Sequence, residues 1–340
     1  MALQKYFLDF NNTIRLDFET NSTLKEKREI LVKKLRDSGE LPAFEEFNQG
    51  SYQLHTGIKP ISGREFDIDV GLRFNVNYTE YKPFELKNII KDILKNHTEY
   101  GADIKKPCVT VTYSKEGEAS YHVDLVVYSY EDKENKNFQM YIAKGKNDNN
   151  SVWEKADPIK LVDYINNTIE GGEKRDQFRR LVRYLKRWKN LKFADSGHAE
   201  PVSIGITLMV LEYFIFYSDN DLDSLINVVD RIKERFYMVS LDENNRILYK
   251  IDCNLPNHLN FEGDTNVFCK MTEIQMTDFR DKVIKLKEDL QKVKYEADEY
   301  EQCKLLNKIF GDDFKIPEKQ EVSKKQTNFI PYSSSSGVIL

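Results

Sequence analysis

The chain has 340 residues, 40% of them apolar and 31% charged, with a net charge of −5 and a pI near 5.8. That balance suits a soluble globular protein of one large or two modest domains, and it argues against broad non-specific nucleic-acid binding while leaving room for a local basic pocket. No segment has about 18 continuous apolar residues and the N-terminal stretch lacks an apolar signal core, so neither a membrane span nor a signal peptide is expected, and the chain reads as cytoplasmic.

The first clear element is "STLKEKREILVKKLRDSGE", with Ser22 at an N-cap position, apolar Leu24, Ile30, Leu31 and Leu35, and Gly39 at its end. It reads as an amphipathic helix. Two strands follow, "FEEFNQGSY" and "FDIDVGLRF", then a helix over "FELKNIIKDILKNH". "CVTVTYS" and "YHVDLVVYSY" alternate and are separated by "KEGEAS", the pattern of a hairpin, and "NFQMYIAKG" makes a fifth strand. Residues 1–155 are therefore expected to form a mixed sheet with helices on one side, an α+β arrangement.

The polar stretch "GKNDNNSVWEKADP", ending in Pro158, marks the boundary. Residues 156–314 turn helical: "IKLVDYINNTI", "KRDQFRRLVRYLKRWKNL", "SIGITLMVLEYFIFY", "SLINVVDRIKERF" and one long piece running from "TDFRDKV" to "LLNKIF". Residues 315–340 are rich in Lys, Gln and Ser and read as a disordered tail. The four cysteines, Cys108, Cys253, Cys269 and Cys303, include no CxxC pair and read as buried thiols. Cys253, His258 and Cys269 fit no common zinc-finger spacing and lack a fourth ligand.

Asp67 and Asp69 stand two apart in an apolar strand, so they share one face while Phe66, Ile68 and Val70 point to the other. Two like charges so placed repel unless something neutralises them. A solvated strand end is the plain explanation and a divalent cation the sharper one. Asp124 interrupts a second apolar strand between Val123 and Leu125. If the two strands are neighbours, three carboxylates converge on a hard-oxygen site suited to two Mg2+ ions. Such a site can activate a hydroxyl and stabilise a leaving pyrophosphate during displacement at phosphorus. Upstream lie Gly50 and Ser51, directly after a strand and followed by Thr56 and Gly57. Glycine lets backbone amides approach a phosphate, and serine adds a hydroxyl donor.

"EKRDQFRRLVRYLKRWKNLK" carries Phe178, Leu181, Val182, Leu185 and Trp188 at core-stripe spacing, with Arg175, Arg179, Arg183 and Lys186 on an adjoining face. A basic helix face is commonly just solvated. Beside a metal-dependent nucleotide site it becomes a candidate triphosphate clamp, with Lys186 as a compact point charge. Ser203, in "EPVSIGITL", opens the next helix, a natural place for a phosphate-directed hydroxyl.

Gly-Ser, a DxD strand about 16 residues later and a lone Asp in a later apolar strand resemble the active-site layout of DNA-polymerase-beta-like nucleotidyltransferases. Within that superfamily, "QGSYQLHTGIKP", "REFDIDVGLRF", "YHVDLVVY", "LVRYLKRWKN", "PVSIGITL" and the late "NVFCKMTEIQMTDF" to "FGDDF" resemble the bacterial CD-NTases, the cyclic GMP–AMP synthase and dinucleotide-cyclase-like enzymes, from about residue 45 to 314. The resemblance implies a nucleotidyltransferase palm packed on a C-terminal helical lobe, with the active site in the cleft. It implies two Mg2+ ions, with Mn2+ as a substitute, held by Asp67 and Asp69, and Asp124 completing the site nearer the attacking hydroxyl. Gly50, Ser51, Lys186 and Ser203 would hold the donor triphosphate, with ATP or GTP or both as substrates. The implied product is a cyclic di- or trinucleotide that activates a separate effector in anti-phage (CBASS) signalling.

Two positions depart from the pattern. An aromatic base-stacking residue after the lobe serine would stand at Ile204, and a tail joined to targets by a ubiquitin-like ligase would end in a smaller residue than Leu340. Rival readings are a nucleotidyltransferase acting on an RNA 3′ end, a protein or a small molecule, a linear oligonucleotide synthase, and a palm that senses nucleotides without turnover. RNA tailing calls for more basic surface than this chain carries, and the intact Asp67, Asp69 and Asp124 speak against a silent palm.

Overall fold

Twelve residues of alternating side chains, Phe66 to Asn77, make the strand on which the N-terminal half is organised. Ile68, Val70, Leu72, Phe74 and Val76 all point to one buried face. The computed structural model describes residues 3–16, 22–61, 66–113, 121–135, 139–194 and 196–319, with the backbone alone at 22–24, 66 and 67. In chain order the first half contains α1 (Gln4–Ile14), α2 (Ser22–Asp37), β1 (Phe44–Asn48), α3 (Gly50–Gln53), β2 (Phe66–Asn77), α4 (Pro83–Leu94), β3 (Ala102–Ile104), β4 (Val109–Tyr113), β5 (Tyr121–Tyr130), β6 (Met140–Lys144) and β7 (Val152–Lys155).

These strands form one sheet in the order β1-β2-β5-β4-β3, with β6 paired to the end of β5 and β7 to β6. Only β2 and β5 run parallel; the other pairs are antiparallel. One face is covered by α2, through Leu31, Val32 and Leu35, and by α4, through Leu86, Ile90 and Leu94. Each such side chain contributes about 1.5–3 kcal/mol on burial. The opposite face carries a smaller buried cluster of Cys108, Val126, Tyr128 and Ile142, with Phe47 packed on it and polar groups beside it, so the mixed sheet with helices α2 and α4 on one side is as expected.

α4 begins with Pro83 in its first turn and a capping box in which Glu85 accepts from the Lys82 amide. One turn in, the fully buried Lys87 donates from Nζ to the carbonyl oxygens of Lys105 (2.8 Å), Lys106 (3.0 Å) and Gly145 (2.7 Å). All three ammonium protons are thus used to hold two loops against the sheet.

The second half contains α5 (Pro158–Thr168), α6 (Glu173–Lys192), α7 (Ser203–Tyr213), α8 (Asp221–Glu234), β8 (Tyr237–Leu241), β9 (Ile247–Lys250), α9 (Glu273–Tyr295) and α10 (Glu299–Phe310). α6 is the central rod, and Phe178, Leu181, Val182, Leu185 and Trp188 are all buried along it. α1 packs here and not on the sheet. Phe7 and Phe10 sit against Tyr184, Phe310 and Phe314 at ring separations of 5.0–5.5 Å. Asp221, fully buried, accepts from Arg180, Gln177 and Tyr184, and its amide donates to Gln4. The carboxylate is held below its ordinary range by these donors, against the opposing effect of burial.

Several expectations need correction. Gly50 to Gln53 is helical, so the first strand stops at Asn48. The boundary stretch "GKNDNNSVWEKADP" contains β7, which pairs with β6. Its four residues are too few for alternation to show in sequence. The helix expected over "SIGITLMVLEYFIFY" stops at Tyr213. The long C-terminal helix is two, because Asp298 caps α10 by accepting from the Glu301 amide. The β8–β9 hairpin was not anticipated. Cys108, Cys253 and Cys303 are buried, but Cys269 is exposed. The tail from residue 320 onward lies outside the described residues. Among the described residues no helix is long and apolar enough to cross a membrane.

Candidate active site

The site is a small grid on the open face of the sheet. In the parallel β2–β5 pair, Asp69 is the register partner of Asp124, and Asp67 of His122. In the antiparallel β4–β5 pair, Thr110 is opposite Asp124 and Thr112 opposite His122. Side chains directly across a ladder share a face. Thr110, Asp124 and Asp69 therefore form one row, and Thr112, His122 and Asp67 the next. For Asp67 the backbone pairing is seen; its side chain lies outside the described residues.

The carboxylates have specific neighbours. Thr110 Oγ1 donates to Asp124 Oδ1 at 2.6 Å, and His122 Nε2 lies 3.9 Å from Asp124 Oδ2. Behind them Cys108 Sγ is 3.5 Å from Thr110 Oγ1. Burial and the negative charge of Asp124 push the Cys108 thiol up to about 12, so it stays a thiol at neutral pH. Below the row, Tyr128 donates from its hydroxyl to Gln49 Oε1 at 2.9 Å. Burial, reinforced by Asp69, raises the Tyr128 phenol well above its ordinary range and keeps it a donor. Gly71 is required here, because a Cβ at that position would overlap the Phe47 ring, which packs on Tyr128 at 5.5 Å.

Gln49 leads directly into Gly50, whose φ is +61°. A Cβ on Gly50 would run into Asp69 Oδ2. The Gly-Ser turn therefore lies against the central carboxylate, and only glycine fits there on both steric and conformational grounds. The structure thus brings Gly50, Asp69 and Asp124 together, with Ser51 in the first turn of α3.

Lys186 reaches the same region from the helical lobe. It is buried and donates from Nζ to the Thr56 carbonyl at 2.9 Å. Its neighbours on α6 do the same. Arg183 donates to the carbonyl of His55 (2.5 Å) and to Asn11 Oδ1 (2.8 Å), and Arg187 to the carbonyl of Lys59 (2.7 Å). Burial lowers the Arg183 guanidinium to about 10, still charged at neutral pH. Three cations within little more than one turn of α6 thus clasp the segment that follows α3. Sequence reading placed Arg183 and Lys186 on a face that could be merely solvated; both are buried. It missed Arg187 and Thr110, although the hairpin pairing of "CVTVTYS" with "YHVDLVVYSY" could have set Thr110 opposite Asp124. Ser203 opens α7, which packs on α6, and Ile204 lies against the lobe core.

Carboxylate oxygens are the donors that hard divalent cations take. Two aspartates side by side on an open sheet face, with a glycine backed onto one of them, fit Mg2+ or Mn2+. Among the described residues no group of three or more His, Cys, Asp or Glu gathers in a metal-holding cluster. Cys253 points its thiol at the Gly205 carbonyl in the lobe core.

Residues 44–128 match the model of the cyclic GMP–AMP synthase DncV-like nucleotidyltransferase domain. The palm is thus similar to the DncV-like nucleotidyltransferase domain. This chain is 27% identical over 173 residues to a cyclic GMP–AMP synthase of Escherichia albertii, covering 48% of this chain and 36% of that one. A c-di-GMP synthase of Roseivirga ehrenbergii is 22% identical over 229 residues, covering 58% and 57%. The matches thus span about a third of one curated relative and a little over half of the other. Vibrio cholerae DncV, solved with the linear intermediate 5′ pppA(3′,5′)pG, superposes with a TM-score of 0.66 at 17% identity over 92% of this chain and 96% of that one. The fold beyond the DncV-like palm, helical lobe included, is therefore shared as well.

Proposed function

We propose that this chain is a nucleotidyltransferase that joins NTPs, ATP or GTP or both, into a cyclic di- or trinucleotide with release of pyrophosphate. The observation that carries the reading is the row Gly50–Asp69–Asp124, in which a phosphate-compatible turn is backed onto a carboxylate pair. The named relatives, a cyclic GMP–AMP synthase and a c-di-GMP synthase, support the product class. By the same likeness the product would serve as an alarm signal in anti-phage defence, read by a separate effector.

Asp67, Asp69 and Asp124 would hold two Mg2+ ions. When bound, these supply positive charge to the attacking sugar hydroxyl and to the departing pyrophosphate. The chain's own residues do the rest. Gly50 lets the backbone amides of its turn approach triphosphate oxygens near Asp69, and Ser51 would offer a hydroxyl donor to them. Lys186, released from the Thr56 carbonyl, would pair its ammonium with the same triphosphate, and Ser203 would add a donor from the lobe side. Held this way, the acceptor oxygen bonds to the α-phosphorus, the bond from that phosphorus to pyrophosphate breaks, and the hydroxyl proton passes to water. Most of the catalysis in such a step is positioning and charge neutralisation.

The test is incubation of the full chain with mixed labelled NTPs and Mg2+, followed by phosphatase treatment and mass spectrometry. Phosphatase-resistant cyclic products are expected, and Asp67→Asn and Asp69→Asn should each abolish them in a folded protein. Label transferred to an added acceptor, or wild-type turnover by either variant, would overturn the assignment.

A further inference from the structure

We propose that Thr110 is a positioning residue that presents Asp124 to its cation through a single oxygen, and so favours Mg2+ and Mn2+ over Ca2+. The inference rests on the nucleotidyltransferase reading above.

Thr110 lies on β4 directly opposite Asp124 on β5, with 2% of its surface exposed. Its hydroxyl has one proton, and an ionised carboxylate can only accept. The 2.6 Å contact to Asp124 Oδ1 therefore uses that proton. A hydrogen bond this short to a charged acceptor is about twice as strong as a neutral one. Cys108 Sγ, 3.5 Å from Thr110 Oγ1, can donate to the threonine oxygen and also interacts with Asp124 itself. The result is a chain behind Asp124 whose directed link is Thr110 O–H to Asp124 Oδ1, set in the sheet interior.

This chain divides the two oxygens of Asp124. Oδ1 is engaged from behind, while Oδ2 is the oxygen on the side of His122. Ca2+ takes six to eight oxygens and often grips a carboxylate with both. Mg2+ takes six in a tight octahedron and binds a carboxylate well through one. A carboxylate with one oxygen already occupied suits the second kind of ion. Residues that hydrogen-bond a ligating group commonly change metal affinity about 10–100-fold when removed.

The test measures metal binding and not turnover. The full chain is loaded with a non-reacting ATP analogue bridged by carbon between the α- and β-phosphates. Mn2+ binding is followed by the electron paramagnetic resonance of free Mn2+, and Ca2+ by competition. Thr110→Val keeps the shape and removes the hydroxyl; it should weaken Mn2+ about tenfold and raise the Ca2+/Mn2+ affinity ratio. Thr110→Ser, which restores the hydroxyl, should return both to within about twofold of wild type. If Thr110→Val does not fold, Thr110→Cys, with a weaker donor, should shift both quantities in the same directions. Unchanged binding in the folded variant, or equal loss of both ions, overturns the inference alone. Absence of saturable Mn2+ binding in the wild type overturns it together with the nucleotidyltransferase reading.

Discussion

Arg183 on α6 donates to the main-chain carbonyl of His55, five residues past Gly50, while its Nε holds Asn11 of α1. One buried guanidinium joins two helices of the lobe to the segment behind the Gly-Ser turn. Removing it leaves the part-buried His55 carbonyl and the buried Asn11 side-chain oxygen without this charged donor, which costs about 3 kcal/mol. Arg183→Ala should lower the unfolding free energy, measured by urea titration, by that amount, and Arg183→Lys, unable to reach both acceptors at once, should recover only part of it.

Lys186 sits one turn further on and is expected to bind triphosphate as well as the Thr56 carbonyl. Lys186→Ala should raise the NTP KM about tenfold with a smaller change in kcat, because the contact is made before chemistry. Unchanged steady-state kinetics would leave Lys186 with its structural role only.

Gly50→Ala tests the contact with Asp69. The φ of +61° costs a non-glycine residue about 1–2 kcal/mol, and the methyl group would displace the carboxylate. A displacement on the order of 1 Å can cost about 100-fold in rate. The expected outcome is a folded protein, by circular dichroism, that has lost product synthesis.

Lys87 gives a pH signature. Burial pushes its ammonium down to about 8, while the unfolded chain keeps the proton up to about 10.4. Between these values the unfolded state binds more protons, so stability rises with pH, on the order of 1 kcal/mol per pH unit. The burial penalty is fully present below pH 8 and relieved above it. The stability difference between wild type and Lys87→Met, followed by urea unfolding across this window, should grow in favour of wild type.

Phe314 closes the lobe core against Phe7, Phe10 and Phe310. Phe314→Ala should cost about 3–5 kcal/mol. A chain ended just after Phe314 keeps that ring and should make the same product at a similar rate, which a side-by-side synthesis assay checks.

The palm was legible because its strands are long and alternate. Phe66 to Phe74 and Tyr121 to Tyr130 announce both their faces and the polar residues that break them. β3 and β7 were not legible, because three or four residues carry too little pattern. The hairpin of β8 and β9 follows "RIKERF" without a glycine or proline to mark it, and strands of five and four residues carry too little pattern. The α9–α10 break had a signal, Asp298 before Glu299 and Glu301, but it lay inside a run of good helix formers. At the site, residue types and strand faces could be read, whereas Arg183, Lys186 and Arg187 could not be told from a solvated face. Their acceptors are backbone carbonyls, which leave no mark in a sequence.

The packing of α1 bears on how such proteins can be recombined. Phe7 and Phe10 lie in the core formed by α6 and α10, yet the chain then runs through α2 and the sheet, touching that core again at Leu54 and Ile58, before its main return at α5. The lobe is therefore discontinuous in the gene. A hybrid that takes its palm from one relative and its lobe from another needs two crossovers, one after α1 and one near Pro158. A single junction at Pro158 would pair the lobe with a foreign first helix and a mismatched set of rings.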